Sequence, residues 1–287
     1  MIACVIAWAF PGQGSQRARM GAQLPPFGAL AERARRAVGI ELVQRCVHDP
    51  DPAWPPDELQ QAIFVTTRAA AAAAHDERRA PPHAVVGHSL GEYAALVEAG
   101  ALDYDAALQL VDVRGRAMAA AGADPPGAMA AVVGLSPDAV EATCAPLGDV
   151  WVANVNSPRQ TVVSGTREAV AAATEQLQAA GAQLVVPLPI TIACHTPLMA
   201  PAAERLRAAL ATTTLHPPRI PVYSCVDATP KHDPDDIVRA LVDGVTRPVR
   251  FAATVARMRA DGVTDVVEIG PGNVLRGLLR DNGPTGK

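Results

Sequence analysis

Three short apolar runs in this chain each end in a glycine-containing turn and lead on into helix-forming sequence, which narrows the folds open to it. They are Val5–Phe10 into Pro11-Gly-Gln-Gly-Ser15, His83–Val86 into Gly87-His-Ser-Leu-Gly91, and Thr264–Ile269 into Gly270-Pro-Gly272. A run too short for a helix, closed by a glycine turn and followed by a helix, is the repeating unit of a largely parallel sheet covered by helices. The stretch from Gly127 to Leu188 has another rhythm. Ala128–Val133 reads as a strand, and Ser136-Pro137 supplies an N-cap and a first-turn proline for a helix over Asp138–Ala145. Val150–Asn154 and Thr161–Ser164 are β-rich on either side of the turn Asn156-Ser-Pro-Arg159. Thr166 caps a helix to Ala180, Gly181 stops it, and Gln183–Leu188 is strand-like again. The order β-α-β-β-α-β is the ferredoxin-like pattern, expected here as a small unit inserted into a larger α/β body.

Composition excludes several classes. A chain of 287 residues, 49% hydrophobic with a net charge of −4, can bury a sizeable core and is not a disordered segment. No apolar run approaches the length of a transmembrane helix, and the apolar start lacks the basic segment and cleavage site of a signal peptide. The 23 Arg and 2 Lys are scattered and balanced by acids, so no basic surplus marks a nucleic-acid binder. Five cysteines stand far apart with no C-x-x-C pair, which argues against a disulfide framework or structural zinc and for a reducing compartment. The expectation is a soluble cytoplasmic protein with neither a membrane nor a nucleic-acid partner.

Gly87-His88-Ser89-Leu90-Gly91 matches G-x-S-x-G between a strand (Ala84–Val86) and a helix (Glu92–Ala99). A sharp strand-to-helix turn exposes its serine and points helix N-terminal amides at a developing oxyanion. The bland alternative is a glycine-rich turn with a solvent-facing serine; the context on both sides favours a nucleophile. Such a serine needs a base. Of the seven histidines, His48, His75 and His232 lie in polar surroundings, His83 opens a strand, and His216 precedes Pro217-Pro218. His195 follows the apolar run Leu184–Ala193 and precedes Thr196-Pro197, a helix start, at the kind of junction where α/β active sites collect. A nearby helix N-terminus would keep its imidazole neutral. A structural histidine fits that position equally well.

In the helix from Asp105 to about Ala120, Gln109, Asp112 and Arg116 define a wet face, and Ala107, Leu110, Val111, Ala117, Met118 and Ala121 an apolar one. Arg114 falls inside the apolar stripe. A guanidinium turned inward needs a partner. Either it forms a structural ion pair, or its planar fork receives a substrate carboxylate.

Taken in order, Phe10-Pro-Gly-Gln-Gly-Ser-Gln16, Gly87-His-Ser-Leu-Gly-Glu-Tyr-Ala-Ala-Leu96, Val113-Arg-Gly115, Gly127-Ala-Met-Ala-Ala131, Asn154-Val-Asn-Ser-Pro158 and Glu268-Ile-Gly-Pro-Gly272 resemble malonyl-CoA:acyl carrier protein transacylases and the related polyketide acyltransferases. The resemblance spans essentially the whole chain. It implies an α/β-hydrolase-like subdomain over residues 1–124 and 192–287, interrupted by a ferredoxin-like one over 125–191. It implies Ser89 as the acyl-accepting nucleophile, His195 as its base, and the Gln13 and Leu90 amides as the oxyanion hole. Arg114 matches the arginine that holds the malonyl carboxylate, and His88, Asn156 and Gln61 match pocket-lining positions. Relatives often carry glutamine where Arg250 stands in Arg247-Pro-Val-Arg-Phe251; that residue orients the histidine through its main-chain carbonyl, so the role passes to Arg250. Ahead of the histidine, relatives tend to carry Phe or Ser, and the side chain there tracks the bulk of the acyl group. Cys194 leaves malonyl and α-substituted malonyl both open. The implied partners are a CoA thioester and an acidic acyl carrier protein, with Arg17, Arg19, Arg276 and Arg280 as docking candidates, and no metal or redox cofactor. Two further readings are a hydrolase that lets water cleave the acyl-serine and a non-catalytic carrier-docking module.

Overall fold

The first strand sets the layering. In β1 (Ile6–Phe10) the side chains of Trp8 and Phe10 enter one apolar core, while Ala7 and Ala9 enter another on the opposite face. A strand buried on both faces belongs to the interior of a parallel sheet. The computed structural model describes residues 4–50, 54–55, 57–77 and 79–283. β1 lies between β2 (Ala84–Gly87) and β9 (Asp265–Glu268), parallel to both, with Phe10 opposite Gly87 and Ala9 opposite Glu268. Outside β2 come parallel β7 (Val222–Ser224) and then antiparallel β8 (Thr229–Lys231), giving the order β8-β7-β2-β1-β9.

Helices α1 (Phe27–Val38), α2 (Leu59–Asp76), α3 (Gly91–Glu98) and α4 (Tyr104–Ala121) supply most of the core on the Trp8 side. α7 (Ala200–Leu210) and α8 (Pro234–Thr246) extend it, and α9 (Phe251–Ala260) with α10 (Val274–Asp281) covers the other face. Among the described residues no helix is long and apolar enough to cross a membrane.

The inserted unit has the expected element order: β3 (Gly127–Val133), α5 (Pro137–Cys144), β4 (Val150–Ser157), β5 (Gln160–Thr166), α6 (Arg167–Ala179) and β6 (Leu184–Pro187). Its antiparallel sheet is ordered β4-β5-β3-β6, with a valine-rich core beneath the two helices. Both expected caps form, Ser136 accepting from the Ala139 amide at 3.3 Å and Thr166 from the Ala169 amide at 3.2 Å.

One expectation fails locally. No helix follows the first glycine turn until Phe27. Residues 11–26 form an irregular loop held by Ser15 Oγ–H on the Gly12 carbonyl (2.7 Å) and the Gly14 amide on Gln16 Oε1 (2.7 Å). Pro11, Gly12 and Gly14 in its first half, and Pro25-Pro26 before α1, deny it a helical register. The loop packs on the third turn: a Cβ on Gly272 would lie 2.8 Å from the Ser15 carbonyl oxygen.

Candidate active site

The serine turn is compressed from both sides. A Cβ on Gly87 would lie 2.0 Å from the Glu92 nitrogen, and one on Gly91 would lie 1.9 Å from the Phe10 carbonyl oxygen. Only glycine permits this approach of turn and strand. Between them Ser89 takes φ of 53°, a left-handed conformation that a serine adopts only where its surroundings enforce it. The Leu90 amide at the start of α3 and the Gln13 amide in the β1 loop make no turn or cap hydrogen bond among the described residues.

His195 is also left-handed, with φ of 63°, and lies in the connection from β6 toward α7. Its Nε2 accepts from Ser89 Oγ at 2.9 Å, although 106 residues separate the two. Its Nδ1–H donates to the Gly244 carbonyl at 2.8 Å. Gly244 stands in the last turn of α8, where carbonyls have no amide further along the helix to accept from. This corrects the expected role of Arg250. That residue caps the start of α9, and its carbonyl instead takes the Thr254 amide (3.0 Å) and hydroxyl (2.8 Å). The imidazole is pushed down to about 3, by burial first and then by the charge of Arg114, against the opposing pull of the Gly244 and Arg247 carbonyls. Desolvation, rather than the expected helix N-terminus, keeps it neutral, with its Nε2 lone pair facing Ser89.

Arg114 is 4% exposed and points inward from α4, as its place in the apolar stripe requires. Its Nη1 donates to Gln60 Oε1 at 2.5 Å and its Nη2 to Ser89 Oγ at 3.0 Å. No carboxylate pairs with it among the described residues. Among the described residues, then, the structural ion pair does not form.

The expected Gln61 is a second correction. One step along α2 is a turn of about 100°, and this carries the Gln61 amide away to Asp112 at 2.8 Å. Gln60 meets the arginine instead. Both glutamines are 1% exposed, so burial alone did not separate them.

Above the serine, a cavity of about 330 Å³ opens between the large sheet's C-terminal edge and the face of the small sheet. Gln13, His88, Ser89, Cys194 and His195 line one side, and Asn154, Asn156 and Gln160 the other. His88 Nε2–H donates to Asn156 Oδ1 at 2.8 Å, and Asn156 Nδ2 donates to Gln160 Oε1 at 3.0 Å, a chain that crosses from one unit to the other. Burial lowers His88, so it too stays neutral. A register shift in β4 between Val152 and Asn154 re-aims the two asparagines. The same strand is tied to the large unit, Val155 donating to the Val249 carbonyl (2.8 Å) and Val249 to that of Ala153 (2.9 Å). The proposed docking arginines Arg17, Arg19, Arg276 and Arg280 are exposed, and the last two share α10 with Val274 and Leu278 of the cavity wall.

Gln60 and the Gly244 carbonyl were missed from sequence. Gln60 carried a signal in being a second glutamine beside the first. A main-chain carbonyl has no side-chain signature, but the end of a helix at Thr246, just before Arg247-Pro248, marks a place where such carbonyls are free.

Residues 7–283 match the family model described as the acyl transferase domain. The chain belongs to the acyl transferase domain family. This acyl transferase is 36% identical over 285 residues to the malonyl CoA-acyl carrier protein transacylase of Escherichia coli K12, covering 96% of this chain and 91% of that protein. Its fold matches the malonyl CoA-acyl carrier protein transacylase of Coxiella burnetii with a TM-score of 0.93 at 34% identity, over 100% of this chain and 93% of that one. A type II polyketide synthase malonyl-transacylase, solved in complex with its acyl-carrier protein, superimposes equally well, with a TM-score of 0.93 at 34% identity over 98% of this chain and 94% of that one.

Proposed function

We propose that this acyl transferase moves a malonyl group from CoA to the phosphopantetheine thiol of an acyl carrier protein through an ester on Ser89. The observation that carries the reading is Arg114: a buried guanidinium, unpaired by any carboxylate among the described residues, that touches the nucleophilic oxygen itself. A buried cation without an anion is costly unless its anion is the substrate.

His195 Nε2 takes the Ser89 proton as Oγ attacks the thioester carbonyl, and the oxyanion meets the Gln13 and Leu90 amides. The carbon–sulfur bond breaks, and the departing CoA sulfur takes the proton from Nε2. Arg114, braced by Gln60, grips the distal carboxylate and so orients the acyl group. An acetyl or longer simple acyl chain would leave that cation unanswered. The carrier thiol then gives its proton to His195, attacks the ester, and restores the Ser89 hydroxyl. The acidic carrier protein docks at the cavity mouth against Arg17, Arg19, Arg276 and Arg280. No step calls for a metal or redox cofactor.

Cys194 supports a second acyl group. Its short side chain on the cavity wall leaves width beside the serine, so an α-substituted malonyl is the next candidate.

The test is intact-mass measurement after incubation with malonyl-, methylmalonyl- and acetyl-CoA, followed by holo carrier protein. A malonyl adduct lost in Ser89→Ala and passed to the carrier supports the transferase. An adduct released as malonate in water alone makes the enzyme a hydrolase, and no adduct with any thioester leaves only a docking module.

A further inference from the structure

Glu92 is the second buried ionisable group of this site and takes no part in the steps above. It lies in the first turn of α3, three residues beyond Ser89, and is 5% exposed. Ser224 at the end of β7 hydrogen-bonds its carboxyl group. The other groups facing it are Cys225, Asp227 and Lys231 from β7, β8 and their turn, Arg114 from α4, and Tyr93 from its own helix. Lys231 is already committed to Asp227 at 2.5 Å. Glu92, Arg114, Ser89 and His195 line one small cavity of about 20 Å³ behind the serine, closed at the α8 end by Gly244 and Arg247. A buried acid and a buried guanidinium therefore flank one space, with no ion pair formed between them.

We propose that Glu92 is the internal counter-charge of Arg114 and sets how strongly that arginine captures the carboxylate of the acyl group, acting as a positioning residue through the guanidinium. The proposal rests on the reading of Arg114 as the carboxylate receptor. With Glu92 protonated, the charge of Arg114 is unanswered and is directed wholly at the incoming carboxylate. With Glu92 ionised, it shares that charge and repels the acyl carboxylate across a dry space where charges are poorly screened. Burial pushes Glu92 up to about 7, outweighing the Ser224 hydrogen bond and the Lys231 and Arg114 charges that favour ionisation. The malonyl carboxylate is ionised throughout the neutral range, so the switch lies in the protein.

The measurement is the second-order rate of Ser89 acylation by malonyl-CoA, divided by that for acetyl-CoA, which lacks the distal carboxylate. Titrations of His195 or the serine cancel in this ratio. In the wild type the ratio is expected to fall about tenfold between about pH 6 and about pH 8.5, with its midpoint near 7. In Glu92→Gln it stays at its acid-side value throughout. Ser224→Ala, which removes a hydrogen bond favouring the ionised form, moves the midpoint upward and decides the matter should Glu92→Gln not fold. A flat wild-type ratio, a wild-type decline in Glu92→Gln, or an unmoved midpoint in Ser224→Ala overturns the proposal. Malonyl-CoA that fails to acylate Ser89 at every pH refutes the receptor reading itself, and this proposal with it.

Discussion

Replacing Arg114 by Met should cost far more activity than stability. Methionine has nearly the length of the arginine stem and no charge, so the apolar stripe of α4 stays filled. In the wild type the guanidinium has two neutral partners, Gln60 Oε1 and Ser89 Oγ, and no carboxylate among the described residues. Hydrogen bonds to a charged group contribute about 1.5–3 kcal/mol each, whereas burying the ion costs several kcal/mol. Losing the ion therefore offsets losing its hydrogen bonds, leaves Gln60 Oε1 unsatisfied and removes a charge that favours ionised Glu92. The expected net change is within about 1 kcal/mol of zero, a shift in Tm of no more than roughly 2–4 °C for a chain of this size. The bound malonyl group loses a bidentate partner worth about 3–5 kcal/mol, so Ser89 acylation by malonyl-CoA should fall about 10²- to 10⁴-fold. Urea melts of both proteins, with single-turnover release of CoA followed by quenched flow, measure the two effects. A malonyl rate within about tenfold of wild type refutes the carboxylate receptor. A loss of more than about 3 kcal/mol in stability refutes the claim that this cation is uncompensated.

Other substitutions test separate links. Gly91→Ala puts a methyl group 1.9 Å from the Phe10 oxygen, so it should cost more than about 3 kcal/mol or yield no soluble protein. Gly277→Ala in α10, with nothing within 4 Å, should stabilise by about 0.5–1 kcal/mol, and thermal melts compare the two. Gln60→Ala should slow malonyl acylation about tenfold by unbracing Arg114 while Gln61→Ala leaves it unchanged; equal losses in both would show that neither glutamine is specific to the arginine. His195 is neutral when folded down to about 3 but protonates near 6.5 when unfolded, so its contribution to stability is intact above about 6.5 and is lost as pH falls toward 3. Across that window the wild type should lose stability faster than His195→Gln by up to about 1.4 kcal/mol per pH unit, and parallel curves in acid denaturation would contradict the burial argument.

Local physics wrote much of the fold into the chain. The strand–glycine turn–helix of the serine depends on neighbours within a few residues, and so do the Ser136 and Thr166 caps and the β-α-β-β-α-β order of the inserted unit. Arg114 was legible as an inward charge because helical periodicity places each residue on a face without reference to the rest of the molecule. The loop after β1 was misread as the approach to a helix because a glycine turn stops a strand without saying how soon the next element starts. Partners are a different matter. Two adjacent buried glutamines look alike until the packing of α2 against α4 chooses Gln60 for Arg114 and sends Gln61 to Asp112. Ser89 and His195 meet across 106 residues, and His195 is held by a carbonyl at the end of α8 rather than by Arg250. Such contacts are fixed by how helices and sheets pack in three dimensions, and a backbone carbonyl offers that role equally from any residue type. The protonation of Glu92 and His195 is decided at the same level, because it follows from how much water the assembled core excludes.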